Sequence, residues 1–178
     1  MAHGRLLVLG VAAAAALLVG SRRLAEGPAP PRARSPLEEE IRGGLAPFAA
    51  ELEAAALMHG LDPDLLRALV WQESKGDPLA VRFEPRLNDS SYGLGQVLLQ
   101  TARELGFAGG VRDLLDPHTN LDLAARYLRS RFDTFGDFRL SVAAYNSGTP
   151  LLGPDGSLVN EGYVQDVTLF FDALQGRG

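Results

Sequence analysis

Beyond residue 36 the chain divides into helix-length segments, each with an apolar stripe and each bounded by turn-forming residues. In the clearest of them, LDPDLLRALVWQESKG, Asp62 suits an N-cap, Pro63 suits the first helical position and Gly76 suits the exit. Strict alternation of apolar and polar residues, the pattern of a half-buried strand, is nearly absent. The sequence therefore predicts an all-α domain.

Further segments show the same helical pattern. In residues 36–60, Gly43, Gly44 and Pro47 predict that the helix splits into two pieces. The remaining helices are predicted from about Tyr92 to Gly106, from an N-cap at Asn120 to Gly136, from an N-cap at Asp137 to Gly148, and over residues 160–174. An Asp-Gly turn predicts one short β-hairpin near residues 150–160.

The first 21 residues differ from the rest of the chain. Arg5 precedes an apolar or small-residue run over residues 6–20, which has the length of a signal-peptide core and is short for a bilayer span of roughly 20 residues. We predict a signal peptide over residues 1–21, with a membrane anchor through residues 6–20 as the alternative. Both predict export to the periplasm or cell envelope. Residues 22–36, rich in proline and arginine, predict a linker to a domain over residues 37–178.

Composition excludes several classes of function. Cysteine is absent, so the chain has neither a disulfide framework nor a thiolate zinc site. His3, His59 and His118 lie far apart, so we expect no metal, and no cofactor motif is present. Five of the 17 basic residues and one of the 22 acidic residues precede Pro36, which leaves a formal charge of about −9 on the remainder. Such an acidic domain argues against nucleic acid as a partner.

One acidic residue stands out because of its position. Leu65, Leu66, Leu69 and Val70 mark the apolar stripe of the helix that begins at Asp62, and Glu73 continues that stripe. Burial disfavours the charged form of a carboxyl group and raises its pKa, which suits a proton donor near neutral pH. Periodicity alone leaves a second interpretation open, in which the side chain turns to solvent or pairs with an arginine.

Four short segments follow one another in a fixed order: Glu73-Ser74, residues 92–96 (YGLGQ), residues 144–146 (AYN) and residues 162–164 (GYV). In this order the sequence resembles the soluble lytic transglycosylase family of lysozyme-like enzymes, which cleave peptidoglycan. The resemblance covers residues 61–174. It differs from the family pattern at Gly95, where methionine is usual. The resemblance implies a lysozyme-like helical fold.

The resemblance also implies a role for each matching residue. Glu73 takes the place of the catalytic acid, which protonates the glycosidic oxygen between N-acetylmuramic acid and N-acetylglucosamine. The residues implied to bind the glycan are Ser74, Ser91, Tyr92, Gly93, Leu94, Gln96, Tyr145, Asn146 and Tyr163. Amide and hydroxyl side chains suit this task on physical grounds, because sugars present hydroxyl groups, amides and apolar ring faces.

The reaction depends on whether a second carboxylate takes part. With Glu73 as the only acid and base, the muramic acid C6 hydroxyl can attack, which gives a 1,6-anhydro product without water. Asp77, Glu84 or Asp89 could instead position a water, as in goose-type lysozymes, which gives a hydrolytic muramidase. A third alternative is an inactive glycan-binding or structural protein of the envelope, including secretion, conjugation or virion machinery. We favour transglycosylation, with peptidoglycan strands as the partner.

Overall fold

The computed structural model describes residues 32–177. The predicted signal peptide or anchor over residues 1–21 and most of the linker therefore lie outside the described residues. Among the residues described, no helix has the length and apolar character needed to cross a membrane.

Helices make up most of the described chain, which confirms the predicted class. The helices are α1 (Pro36–Gly44), α2 (Ala49–Met58), α3 (Pro63–Ser74), α4 (Leu99–Glu104), α5 (Val111–Leu114), α6 (Pro117–Phe135), α7 (Phe138–Ser147) and α8 (Glu161–Gln175), with a 3-10 turn at Ala46–Phe48. The predicted break between α1 and α2 is confirmed. Its position fits Pro47, which cannot donate a helical backbone hydrogen bond.

Helix α3 begins and ends as its sequence predicts. The Asp62 side chain accepts a hydrogen bond from the Asp64 N–H at 2.8 Å, and Pro63 occupies the first turn. At the other end Lys75 adopts a left-handed conformation with φ of 53°, and Gly76 follows with φ of 85°. The helix therefore stops directly after Glu73 and Ser74.

A small antiparallel sheet replaces the start of one predicted helix. Its strands are β1 (Val81–Glu84), β2 (Asp89–Tyr92) and β3 (Val97–Leu98), in that spatial order. The prediction of a helix from about Tyr92 is wrong, because Gly93 and Gln96 have left-handed backbone angles that interrupt any helix. The helix begins only at Leu99. The hairpin predicted near residues 150–160 is present as a single antiparallel bridge between Leu152 and Leu158.

Two predicted N-caps have different outcomes. Asp137 caps α7 by accepting from the Leu140 N–H at 2.9 Å, as predicted. The cap of α6 is Asp116, which accepts from the Thr119 N–H at 2.9 Å. The prediction of Asn120 as that cap is therefore wrong, and Asn120 lies fully buried in the first turn of α6.

Helix α3 lies in the core and packs mainly against α8. Leu66, Leu69 and Val70 are fully buried, and Val164 and Val167 of α8 belong to the same apolar cluster. Burying each such side chain contributes roughly 1.5–3 kcal/mol, so this contact is a major source of stability. Its consequence for function is that the last turn of α3 is held against the first turns of α8.

Candidate active site

The Glu73 side chain points inward at the end of the apolar stripe of α3. Its exposed fraction is 8%, and the Tyr163 hydroxyl donates a hydrogen bond to its Oε1 at 2.5 Å. Tyr163 lies in the first turn of α8, so the contact between the two helices brings these side chains together. The solvent-facing orientation that periodicity left open is not the one adopted.

Burial controls the protonation of Glu73. Loss of hydration raises the pKa of Glu73 from 4.5 to about 7. The Tyr163 hydrogen bond and the positive charge of Arg82 act in the opposite direction, and the negative charge of Glu84 adds to the increase. Near neutral pH the carboxyl group is therefore present in both its acid and its base form.

Strand β1 supplies the two charged neighbours of Glu73. Arg82 donates from Nη2 to the backbone carbonyl of Glu73 at 3.2 Å. Because side chains alternate along a strand, Arg82 and Glu84 lie on the same face, which is also the face of Ser91, the cross-strand partner of Arg82. The sequence reasoning considered Glu84 and missed Arg82. The two-residue spacing of these charges is the signal that could have identified the pair.

Tyr145 connects α7 to the turn at residues 93–96. Its hydroxyl donates to the backbone carbonyl of Gly95 at 2.7 Å, and its side chain is buried. Burial raises the pKa of Tyr145 well above its ordinary value, and the negative charge of Glu73 raises it further. Tyr145 is therefore a neutral hydrogen-bond donor close to the candidate acid.

The turn at residues 93–96 is braced from inside. Gln96 donates from Nε2 to the carbonyls of Ala80 at 3.1 Å and Gly93 at 2.9 Å, and its Oε1 accepts from the Ser91 hydroxyl at 2.9 Å. Leu94 is fully buried. The structure thus places Ser91, Leu94 and Gln96 in the support of the turn, with both amide hydrogens of Gln96 used inside the protein.

Asn120 is a supporting residue whose role the sequence reasoning missed. Its Nδ2 donates to the carbonyls of Tyr92 at 2.8 Å and Leu114 at 2.9 Å, and its Oδ1 accepts from the Gly95 N–H at 2.7 Å. It thereby holds the 93–96 turn against α6. The missed signal is its spacing, since Asn120 lies four residues before the buried Ala124 and so falls on the apolar face.

The other predicted residues lie at the ends of helices or strands around this group. The Ser74 hydroxyl donates to the Val70 carbonyl at 3.4 Å and accepts from the Gly76 N–H at 3.2 Å. Asn146, at the end of α7, is exposed, and its Oδ1 accepts from Asn160 Nδ2 at 3.0 Å. Tyr92 is half-buried at the end of β2.

Over residues 32–177, no cluster of three or more histidine or acidic side chains is placed to hold a metal ion. The chemical capacity of the described site lies in the Glu73 carboxyl group, which can give and take a proton near pH 7. The Tyr163 hydroxyl steadies its charged form. This is the requirement for general acid and base chemistry on a neutral polar substrate.

Comparison with known proteins places this site in a family. Residues 51–158 match the family model described as the transglycosylase SLT domain. A transglycosylase of Enterobacteria phage PRD1 is 33% identical over 96 residues, which is 54% of this chain and 33% of the phage protein. Membrane-bound lytic murein transglycosylase F of Desulfosudis oleivorans is 34% identical over 117 residues, which is 62% of this chain and 24% of that protein.

The fold also matches a solved structure. An inactive variant of the lytic transglycosylase Slt from Pseudomonas aeruginosa superposes with a TM-score of 0.59 at 23% identity, over 78% of this chain and 26% of that one. This likeness shows a shared fold. The chain spans a third or less of the phage and Desulfosudis proteins. Because the family model matches more than half of its residues, the chain belongs to the transglycosylase SLT domain family.

Proposed function

We propose that this protein is a peptidoglycan lytic transglycosylase that cleaves the β-1,4 bond between N-acetylmuramic acid and N-acetylglucosamine. The observation that carries the proposal is the buried Glu73 carboxyl group, hydrogen-bonded to Tyr163, with its pKa raised to about 7. Membership of the SLT family supports the same reaction class. The two relatives named above are transglycosylases, which agrees with it.

In the proposed reaction Glu73 acts first as acid and then as base. Its proton passes to the glycosidic oxygen as the bond between that oxygen and muramic acid C1 breaks. The resulting carboxylate, steadied by the Tyr163 hydroxyl, takes the proton of the C6 hydroxyl while that oxygen bonds to C1. The product is a 1,6-anhydro end, and Glu73 regains its proton without consuming water.

Hydrolysis is the second candidate because of one observation. Glu84 lies close enough to Glu73 for its charge to raise the pKa of Glu73, on the same strand face as Arg82. A second carboxylate at such a site could hold a water for attack at C1, and the product would then carry a reducing end. The proposal favours transglycosylation, because the two named relatives of this family are both transglycosylases.

Location and partners extend the proposal. The apolar run over residues 6–20 supports export to the periplasm or cell envelope, with membrane attachment as one form of it. One named relative is a phage transglycosylase, which supports a virion machine as the proposed partner, with secretion and conjugation machines as the other proposed partners. The proposed substrate in each case is the peptidoglycan strand.

The test is the incubation of the full chain with purified sacculi, followed by mass spectrometry of the released muropeptides. The proposal predicts anhydro ends from the unaltered protein and a loss of release of about a thousandfold or more in Glu73→Gln. Glu53→Gln, at an exposed position in α2, is the matched control and should release as much as the unaltered protein. Reducing ends would support hydrolysis, and no release by the unaltered protein would support an inactive binder.

A further inference from the structure

Asn160 occupies the N-cap position of α8 without capping the helix. Asparagine at an N-cap ordinarily accepts a backbone hydrogen bond, which contributes about 1 kcal/mol to stability. The side chain of Asn160 makes no such bond. It reaches instead to α7, where its Nδ2 donates to the Ala143 carbonyl at 2.9 Å and to Asn146 Oδ1 at 3.0 Å.

This orientation leaves a buried acceptor without a partner. The Oδ1 of Asn160 is buried and has no hydrogen-bond partner within residues 32–177. An unpaired buried acceptor costs roughly 1–3 kcal/mol. The amide of Asn160 is therefore held toward α7 at a cost to stability, which points to a use of this contact other than helix capping.

The hydrogen bonds fix the orientation of both amide groups. A carbonyl oxygen can only accept, so the atom of Asn160 that faces the Ala143 carbonyl must be Nδ2. The second hydrogen of that nitrogen then faces Asn146, so the atom of Asn146 in this contact must be Oδ1. The Nδ2 of Asn146 is left pointing outward on an exposed side chain.

The two asparagines flank the tyrosines that surround Glu73. Asn146 directly follows Tyr145, whose pKa is raised by the charge of Glu73. Asn160 lies one helical turn before Tyr163, whose hydroxyl donates to Glu73. We infer that Asn160 is a positioning residue, which holds the Asn146 amide so that its N–H groups face a carbonyl or hydroxyl oxygen of the amino sugar. This inference rests on the proposed function, since it assumes that the site binds an N-acetylated glycan.

The test measures binding of an N-acetylglucosamine tetramer by calorimetry, in the Glu73→Gln background so that the probe is not cleaved. Asn160→Ser removes the amide and keeps a residue that caps helices well. We expect Asn160→Ser and Asn146→Ala each to weaken binding about fivefold, the value of one neutral hydrogen bond. Because Asn160 acts through Asn146, the double variant should also lose about fivefold, not the product of the two losses. Thermal unfolding of Asn160→Ser should show no loss of stability.

Gln165→Ser is the matched control, because it deletes an exposed amide from the same helix, and it should bind the tetramer like its parent. The inference is overturned if Asn160→Ser binds like its parent, or if the losses of the two single variants multiply in the double variant. If the Glu73→Gln parent fails to bind the tetramer and the unaltered chain fails to cleave sacculi, the proposed function fails and the inference with it. If the tetramer is bound and sacculi are cleaved, but Asn160→Ser changes neither, the inference alone is overturned and the proposed function stands.

Discussion

At the scale of single residues, the site combines an apolar setting with a carboxyl group that must ionise during the proposed reaction. Glu73 continues the buried stripe of Leu66 and Leu69. Its burial raises its pKa to about 7, and the Tyr163 hydrogen bond limits that increase. The burial that makes Glu73 a usable acid therefore also makes its ionised form costly to the folded state.

Glu73→Gln is predicted to stabilise the protein in alkaline solution. The pKa of Glu73 is higher in the folded chain than in the unfolded chain, so the folded state binds more protons between about pH 4.5 and pH 7. The free energy of unfolding of the unaltered protein therefore falls as the pH rises through that window, by about 3 kcal/mol at about 1.4 kcal/mol per pH unit. A glutamine does not ionise, so the free energy of unfolding of Glu73→Gln lacks this fall with pH.

Urea unfolding of both proteins at pH 5 and pH 8 measures the effect. The stability difference between the variant and the unaltered protein should shift by about 2–3 kcal/mol in favour of the variant between these pH values. Glu53→Gln, at an exposed position of α2, should show no such shift. An equal difference for Glu73→Gln at both pH values would mean that Glu73 titrates normally.

Tyr163→Phe is predicted to move the pH dependence of cleavage. The Tyr163 hydroxyl stabilises the Glu73 carboxylate, so its loss should raise the pKa of Glu73 further, by about one pH unit. The acid form then persists to higher pH, and the alkaline fall in kcat/KM should move upward by the same amount while kcat drops. Tyr127→Phe is the control, because Tyr127 of α6 packs against the Tyr145 ring at 5.1 Å between centroids but is not among the described groups that shift the pKa of Glu73. An unmoved alkaline limb in Tyr163→Phe would contradict the hydrogen bond.

At the scale of elements, the 93–96 turn is the least regular part of the site and is held by its neighbours. The Asn120 side chain of α6 accepts from the Gly95 N–H and donates to two backbone carbonyls, those of Tyr92 and Leu114. The Tyr145 hydroxyl of α7 donates to the Gly95 carbonyl. Gln96 braces the turn from within. These contacts explain how a turn with left-handed residues can lie at a fixed place beside α3.

Asn120→Ala is predicted to destabilise the whole domain by about 3 kcal/mol or more. The substitution leaves the Gly95 N–H and the carbonyls of Tyr92 and Leu114 without their partner in a buried place, at roughly 1–3 kcal/mol each. Urea unfolding checks the value. Gln100→Ala removes an exposed amide from α4 and should stay within about 0.5 kcal/mol of the unaltered protein. A comparable small effect in Asn120→Ala would show that the turn is held by other means.

Gly95 and Ala124 are predicted to be energetically coupled. A Cβ added at Gly95 would lie 2.5 Å from the Ala124 Cβ and 3.2 Å from the Tyr145 hydroxyl. Gly95→Ala should therefore cost about 1–3 kcal/mol through overpacking. Ala124→Gly alone should cost about 2 kcal/mol, through helix propensity and the loss of a buried methyl group, yet the double variant should be more stable than the sum of the two losses. Strictly additive losses in urea unfolding would contradict this close packing of turn and helix.

Local signals predicted the helices well and the sheet poorly. The caps at Asp62 and Asp137 lie directly before periodic apolar residues, so local chemistry was sufficient to place them. The local pattern predicts helix for the turn that begins after Tyr92. The left-handed conformation of Gln96 in this turn is instead held by hydrogen bonds of its side chain to Ala80 and Ser91. Such a conformation is decided by contacts that a local pattern does not contain.

At the scale of the whole molecule, the inward position of Glu73 could be predicted while several of its neighbours could not. The stripe of α3 located Glu73, and the order of short motifs added Tyr145 and Tyr163. Arg82 reaches the Glu73 carbonyl and Asn160 reaches Asn146 only because β1 and the start of α8 are folded against these residues, and neither stood out in the sequence. Residues far apart in sequence therefore decide the pKa and the geometry of the acid.

The central claim is that the fold raises the pKa of the Glu73 carboxyl group to about 7, so that a substantial share of it is protonated in neutral solution. The most direct measurement is a pH titration of the Glu73 side-chain carboxyl resonance by carbon-13 NMR, assigned by its absence in Glu73→Gln. A midpoint near 7 is the predicted result, because burial outweighs the Tyr163 and Arg82 contributions to the pKa. A midpoint near 4.5, the ordinary value for glutamate, would contradict the account.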